Sequence, residues 1–149
     1  MVISGIVFTN QSKAQVNVNI NIGSQPVWGP VGYDHVDYYY LPDIDAYYYV
    51  PQRQYIYLNN GRWTFASALP MRFKNYDIYK SYKVVVNEPK PYLHPEVYRA
   101  KYQQYKGWKG NQPMIRDNRD DRYKQARDHG YGKNDGPGRG RGRDNHRKH

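Results

Sequence analysis

Apolar and polar residues alternate in two parts of this chain, and both parts are predicted to form β-strands. Residues 15–22 read Gln-Val-Asn-Val-Asn-Ile-Asn-Ile, which is the strict two-residue period of a strand. From residue 36 onward, aromatic and β-branched residues come in short runs separated by turn residues. Such residues fit a pleated, half-buried surface, so the pattern indicates a mainly β fold.

The middle of the chain carries the clearest strand pattern. Tyr-Tyr-Tyr-Leu-Pro and Tyr-Tyr-Tyr-Val-Pro predict strands over 36–41 and 44–50, each followed by a proline turn. A third strand over 54–58 leads into Asn-Gly, the pair that best suits a two-residue type I′ hairpin, and a fourth strand returns. A run of valines predicts a fifth strand over 82–86. We expect a small antiparallel sheet or partly open barrel of short hairpin-linked strands over residues 15–93.

One short amphipathic helix is predicted after the sheet, over residues 94–106. His-Pro-Glu at its start is favourable, because proline suits the first turn and an acid suits the positive end of the helix. Tyr98, Tyr102 and Tyr105 then recur on one helical face, and Gly107 follows as a helix end.

The remaining residues, 107–149, are predicted to be a disordered cationic tail, because they are charged, rich in glycine and poor in aliphatic residues. The chain has a net charge of +10, and residues 94–149 supply +8 of it. Such a segment attracts polyanions, and the Gly-Arg repeat at 138–143 offers guanidinium groups that fork onto phosphates. The predicted polyanion-binding residues are Arg139, Arg141, Arg143, Arg147 and Lys148.

The N-terminus has features of an export signal. Residues 2–8 form a short apolar run, and Ser12-Lys13-Ala14 places small residues at the two positions that a signal peptidase reads. No basic residue precedes the run, so we interpret residues 1–14 as a truncated signal peptide whose true start lies upstream. The alternative is an ordinary N-terminal strand. A run of seven residues cannot span a bilayer, which takes about 20.

No pattern indicates an enzyme, a cofactor or a metal. Asp37, Asp43 and Asp45 lack the repeated ligands and terminal glutamate of a calcium loop and are interpreted as solvated turn residues. His146 and His149 have a spacing that can chelate a metal, but arginine and lysine lie between them. The chain has no cysteine, no nucleophile elbow and no glycine-rich phosphate loop. We therefore expect a non-enzymatic protein.

Four segments together resemble a group of small, uncharacterised exported proteins of Bacteroidetes-type bacteria, which are rich in tyrosine and have no assigned activity. The segments are residues 12–18, 27–33, 38–44 and 56–63, and the resemblance extends over 12–93. It implies a periplasmic or envelope β-domain. It carries over no functional residues.

The function predicted from these features is adhesion by an exported protein located in the periplasm or cell envelope, or secreted. The basic tail would bind an anionic polymer or envelope component, and an exposed aromatic sheet face would contact a partner. The residues predicted for that face are Tyr39, Tyr47, Tyr49 and Trp63. One alternative is a cytoplasmic single-stranded nucleic-acid-binding protein that uses tyrosine stacking and the Gly-Arg tail. Another is a structural module that self-associates through strand edges.

Overall fold

The computed structural model describes residues 19–129 and contains one five-stranded antiparallel sheet. Its strands are β1 (Tyr38–Leu41), β2 (Ala46–Tyr49), β3 (Gln54–Asn59), β4 (Arg62–Ala66) and β5 (Val84–Val86). They lie in the order β4-β3-β2-β1-β5, so the sheet is open and β4 and β5 are its edges. The predicted mainly β fold is confirmed, in the form of an open sheet.

The hairpin turns follow from local sequence. Asn60 and Gly61 have φ values of 49° and 74°, the left-handed conformation that a type I′ turn requires at both positions. This turn pairs Asn59 with Arg62 and thereby sets the register of β3 against β4. The β1–β2 turn contains Asp45 at φ 50°, a conformation in which aspartate is enriched among residues other than glycine.

The first face of the sheet packs around Trp28, which is 1% exposed. Its ring meets Tyr39 and Tyr48 edge-on, with centroid distances of 5.2 and 4.9 Å. Half-buried residues of the segment 69–79 complete this cover. The strand residues on the first face include Tyr39, Leu41, Ala46, Tyr48, Tyr55 and Tyr57.

The second face lies under helix α1 (Pro95–Tyr102), which a 3-10 turn at Gln103–Tyr105 extends. Tyr98 of α1 is buried, and its ring centroid lies 5.7 Å from those of both Tyr40 and Tyr47. The strand residues on this face include Tyr38, Tyr40, Tyr47, Ile56, Val84 and Val86. The predicted short helix after the sheet is confirmed, and Gly107 follows its last turn at φ 69°.

A third, smaller cluster lies where the sequence predicts a disordered tail. Its buried members are Ile22, Ile115, Tyr123 and Ala126, the last of these in helix α2 (Lys124–Asp128). The backbone N–H groups of Ile115 and Arg116 donate to the carbonyls of Gly29 and Val27 at 2.9 and 2.8 Å. The prediction of disorder is therefore wrong for residues 107–129. The apolar residues of the segment 107–129 are too few to form a core alone, but they share one with the segment 22–31.

Two side-chain amides occupy positions that a neighbouring strand would otherwise take. The amide of Asn21 accepts from the N–H of Val36 at 2.9 Å and donates to its carbonyl at 2.7 Å. The amide of Gln112 does the same for Lys83, at 3.0 and 2.9 Å. Each pair satisfies one donor and one acceptor of the backbone beside the sheet.

Several predictions fall partly or wholly outside residues 19–129. The signal peptide predicted at 1–14 is one of them. The strand predicted over 15–22 is described only from residue 19, and there the chain is irregular up to a 3-10 turn at Ile22–Ser24. The predicted polyanion-binding residues also lie outside the described residues, namely Arg139, Arg141, Arg143, Arg147 and Lys148. Within the described chain, no helix has the length and apolar character needed to cross a membrane.

Candidate functional site

The four residues predicted to form an aromatic surface on the sheet are buried or half-buried. These residues are Tyr39, Tyr47, Tyr49 and Trp63. Tyr39 and Tyr47 are 0% exposed and lie on opposite faces of the sheet. Tyr49 and Trp63 are half-buried, with Tyr49 stacked on Tyr38 and Trp63 packed against Tyr92. The prediction of exposure is wrong for Tyr39 and Tyr47, because the loop at Trp28 covers one face and α1 covers the other.

Two acids of the β1–β2 turn hold α1 and the residues after it. Asp45 accepts hydrogen bonds from Arg99 Nε at 2.6 Å and from the Tyr40 hydroxyl at 3.1 Å. Asp43 accepts from the backbone N–H of Gly107 at 2.6 Å. The hydrogen bond to Asp45 raises the pKa of Arg99, and burial followed by the charge of Asp45 raises the pKa of Tyr40. These acids are structural partners of the helix rather than solvated turn residues.

A cleft of about 480 Å³ opens between this turn and α1. Its lining combines two aromatic rings, a carboxamide and charges of both signs. The polar and aromatic residues concerned are Tyr40, Asp45, Glu96, Arg99, Tyr102, Gln103 and Lys106. Asp45 neutralises the charge of Arg99. Lys106 also lines the cleft, and it has no ion-pair partner among residues 19–129. The cleft therefore offers donors, acceptors and one lysine to a polar ligand.

Half-buried rings continue from the cleft and form what we call the aromatic row: Tyr82, Tyr102, Tyr105 and Trp108. Tyr102, which lines the cleft, has its centroid 6.3 Å from that of Tyr105. Tyr105 stacks on Tyr82 at 4.0 Å with an interplanar angle of 6°, and Trp108 meets Tyr82 edge-on at 5.1 Å. The row is thus a continuous series of ring contacts that remains partly open to solvent.

Exposed lysines border the aromatic row. Lys101, Lys106 and Lys109 are adjacent in sequence to Tyr102, Tyr105 and Trp108 respectively. The ammonium of Lys101 lies 5.3 Å from the Tyr102 ring centroid, within cation–π range. The described chain as a whole has 16 Lys and Arg against 11 Asp and Glu, a net charge of +5. Positive charge is therefore available next to the rings.

The sequence identified only part of this arrangement. The helical spacing predicted Tyr98, Tyr102 and Tyr105 on one face. It could not show that Tyr82, which is distant in the sequence, stacks on Tyr105. Each ring between 102 and 108 has a neighbouring lysine in the sequence, and this pairing is the signal by which a cationic aromatic surface could have been predicted.

Residues 19–129 contain no group of three or more His, Cys, Asp or Glu side chains that could hold a metal ion. Comparison with known proteins finds no matching family model, no matching curated protein and no matching solved structure. The roles of the residues above rest on the geometry of this chain alone.

Proposed function

We propose that this protein is a non-enzymatic, exported binding module that attaches to an anionic polysaccharide of the cell envelope. The observation that carries the proposal is the lysine-bordered aromatic row beside an open cleft. The lysines supply attraction that salt screens, whereas the rings supply contact area that salt affects little. The proposed contact surface thus moves from the sheet, where the tyrosines are buried, to α1 and the residues that follow it.

The cleft favours a polysaccharide over a simple polyanion. An acidic sugar chain presents hydroxyl groups as well as negative charges. Glu96 can accept from hydroxyl donors and Gln103 can both donate and accept, while Lys106 faces the acidic groups. Apolar faces of sugar rings suit packing against an aromatic side chain such as Tyr102, because a ring offers flat apolar area at a polar surface.

The residues after 129 add charge to this surface in the proposal. Residues 130–149 carry six Lys and Arg and two Asp, a net charge of +4. Joined to a folded module, such a segment raises the local concentration of polymer near the aromatic row. Arg139, Arg141, Arg143, Arg147 and Lys148 are the residues proposed to make these contacts.

The polymer proposal is tested by measuring the affinity for a heparin-like polysaccharide across a range of salt concentrations. The double variant Lys106→Gln, Lys109→Gln should bind about tenfold more weakly. It should also lower the salt slope, the slope of log affinity against log salt concentration, by about two, because two charge contacts are removed. The control Arg62→Gln, Lys74→Gln removes the same charge from exposed residues elsewhere. Equal losses in both double variants would show that net charge, rather than this surface, binds the polymer.

Truncation after residue 129 separates the terminal segment from the folded module. We expect weaker polymer binding and a smaller salt slope, with the melting temperature unchanged. A cut after residue 110 is unsuitable for this purpose, because it would also remove the buried residues Ile115, Tyr123 and Ala126. Unchanged polymer binding by the shorter chain would contradict the role proposed for the segment.

Nucleic acid is the main competing ligand, and the same experiment includes it. A single-stranded oligonucleotide that binds more tightly than the polysaccharide at equal salt, and loses affinity when Trp108 is replaced by leucine, would make the row a base-stacking platform. That result would replace the polysaccharide proposal by a nucleic-acid function.

Export is tested on the protein from its own host, by intact mass and N-terminal sequencing after cell fractionation. A chain that begins at Gln15 in the envelope fraction is the expected result. A cytoplasmic chain that retains residues 1–14 would contradict the proposed location.

Self-association is a second candidate, favoured by the position of β4 at the sheet edge with Phe65 47% exposed. Edge strands pair readily with a second copy unless charge or cover prevents it. Sedimentation velocity should then show a concentration-dependent dimer that Phe65→Lys abolishes. A monomer at all concentrations would eliminate this candidate.

A further inference from the structure

The third cluster carries a pocket that belongs neither to the cleft nor to the aromatic row. The pocket has a volume of about 530 Å³, and three guanidinium groups, one carboxylate and one amide line it. These residues are Arg116, Asp117, Asn118, Arg119 and Arg127. Three arginines around one opening are a donor set for an anion, because guanidinium groups carry fixed charge and several N–H donors.

Two of these arginines are held in place before any ligand arrives. Arg116 forms a forked pair with Asp117, at 3.0 and 3.3 Å, and its guanidinium lies 4.5 Å from the centroid of the Tyr79 ring. Arg127 is half-buried and donates to the backbone carbonyls of Asn118 and Asp120. An arrangement fixed in this way loses little entropy when a ligand binds.

The third arginine is available to a ligand. Arg119 is exposed, and within residues 19–129 it has no ion-pair partner. The next residue, Asp120, is engaged elsewhere, since it pairs with Arg122 at 3.2 Å. The lining itself has three positive charges and one negative charge, so a dianion would balance it.

We propose that this pocket binds a tetrahedral oxyanion with two negative charges, either phosphate or sulfate, as a free ion or as a monoester group on a larger molecule. Its oxygen atoms would accept from Arg119 and from the N–H groups that Arg116 and Arg127 leave free. The site shares no residue with the aromatic row. It therefore goes beyond the proposed function and stands or fails independently of polysaccharide binding.

The test is calorimetric titration of the full chain with inorganic phosphate, and separately with sulfate, at pH 8 in a chloride buffer. Arg119→Gln should weaken binding at least tenfold, because it removes charge-assisted hydrogen bonds without disturbing a buried contact. Arg119→Lys should lose most of the same affinity, since lysine keeps the charge but not the fork. Arg62→Gln removes one guanidinium charge from an exposed position on β4, outside the pocket, and should change affinity less than twofold.

Three results would overturn the proposal: no binding of either anion at millimolar concentration, equal binding by wild type and Arg119→Gln, or equal losses for Arg119→Gln and Arg62→Gln. A phosphorylated sugar that binds more tightly than inorganic phosphate would identify the ligand as a group on a larger molecule, and equal affinities would identify the free ion. The Lys106→Gln, Lys109→Gln variant should bind phosphate normally, so failure of the polysaccharide proposal and failure of this one are distinguishable.

Discussion

Replacing Lys83 by methionine should remove most of the rise in stability that the native protein gains between pH 7 and pH 9. The Lys83 side chain is 1% exposed. Its ammonium donates to the carbonyl of Ile78 at 3.0 Å and lies 3.7 Å from the sulfur of Met114. No carboxylate among residues 19–129 forms an ion pair with it. Burial therefore lowers the pKa of Lys83 from 10.5 to about 8.

The sign follows from which state loses its proton first. Below pH 8 the amine is protonated in both states, so the folded protein carries the full cost of a buried charge. Above pH 8 the folded state releases the proton while the unfolded state keeps it until pH 10.5, and stability rises with pH across this window. The whole effect is about 3 kcal/mol, of which about 1 kcal/mol falls between pH 7 and pH 9.

The assay is urea unfolding at pH 7, 8 and 9, followed by tryptophan fluorescence, since Trp28 is buried in the fold. The difference in unfolding free energy between wild type and Lys83→Met should shift by about 1 kcal/mol over this range. Lys80→Met is the control, because the Lys80 side chain is 86% exposed. The difference in unfolding free energy between wild type and Lys80→Met should not change with pH. Parallel pH profiles for wild type and Lys83→Met would refute the reasoning.

The range ends at pH 9 because buried tyrosines act in the opposite direction at higher pH. Burial raises the pKa of Tyr40 and of Tyr47 above the ordinary value of 10. The unfolded state therefore ionises first, and the stability these groups contribute is complete below pH 10 and is lost above it.

Other substitutions test the packing by the same urea assay. The Tyr47 hydroxyl is buried with no hydrogen-bond partner in the described chain, so Tyr47→Phe should stabilise by about 1 kcal/mol. Tyr39 donates to Gln25 at 3.2 Å, so Tyr39→Phe should instead cost about 1 kcal/mol, and the reverse order would contradict this account. Ile115→Ala should cost about 2 to 4 kcal/mol, and no loss would mean that the third cluster is not part of the cooperative fold. Gln112→Ala should cost about 1 to 2 kcal/mol and speed amide exchange at Lys83; unchanged exchange would argue against the amide pairing.

Local sequence was sufficient to predict the strands and turns of the sheet. The proline turns separated the tyrosine runs, and Asn60-Gly61 determined one register, because a turn with positive φ at two residues accepts few other pairs. The helix that begins at Pro95 also followed from local pattern. These features depend on neighbours in the chain, which a sequence displays directly.

The contacts that cover the sheet could not be read from the sequence, because they join distant residues. Arg99 reaches Asp45 across 54 positions, and the backbone N–H of Gly32 donates to the Tyr123 hydroxyl across 91. Alternation along a strand predicts which residues share a face of the sheet, but it does not predict which segment packs on that face. The candidate site moved from the sheet to α1 for this reason.

The tyrosine runs also make strand pairing ambiguous. Every residue of Tyr38–Tyr40 and Tyr47–Tyr49 is a tyrosine, and both faces of the sheet are covered. A slip of one position between β1 and β2 would turn each ring to the other face and still place tyrosines at these sites. Discrimination therefore lies at the strand ends, where Leu41 pairs with Ala46 beside the left-handed Asp45. Within this hairpin, the β1–β2 turn is thus the part whose sequence distinguishes the native register from a slipped one.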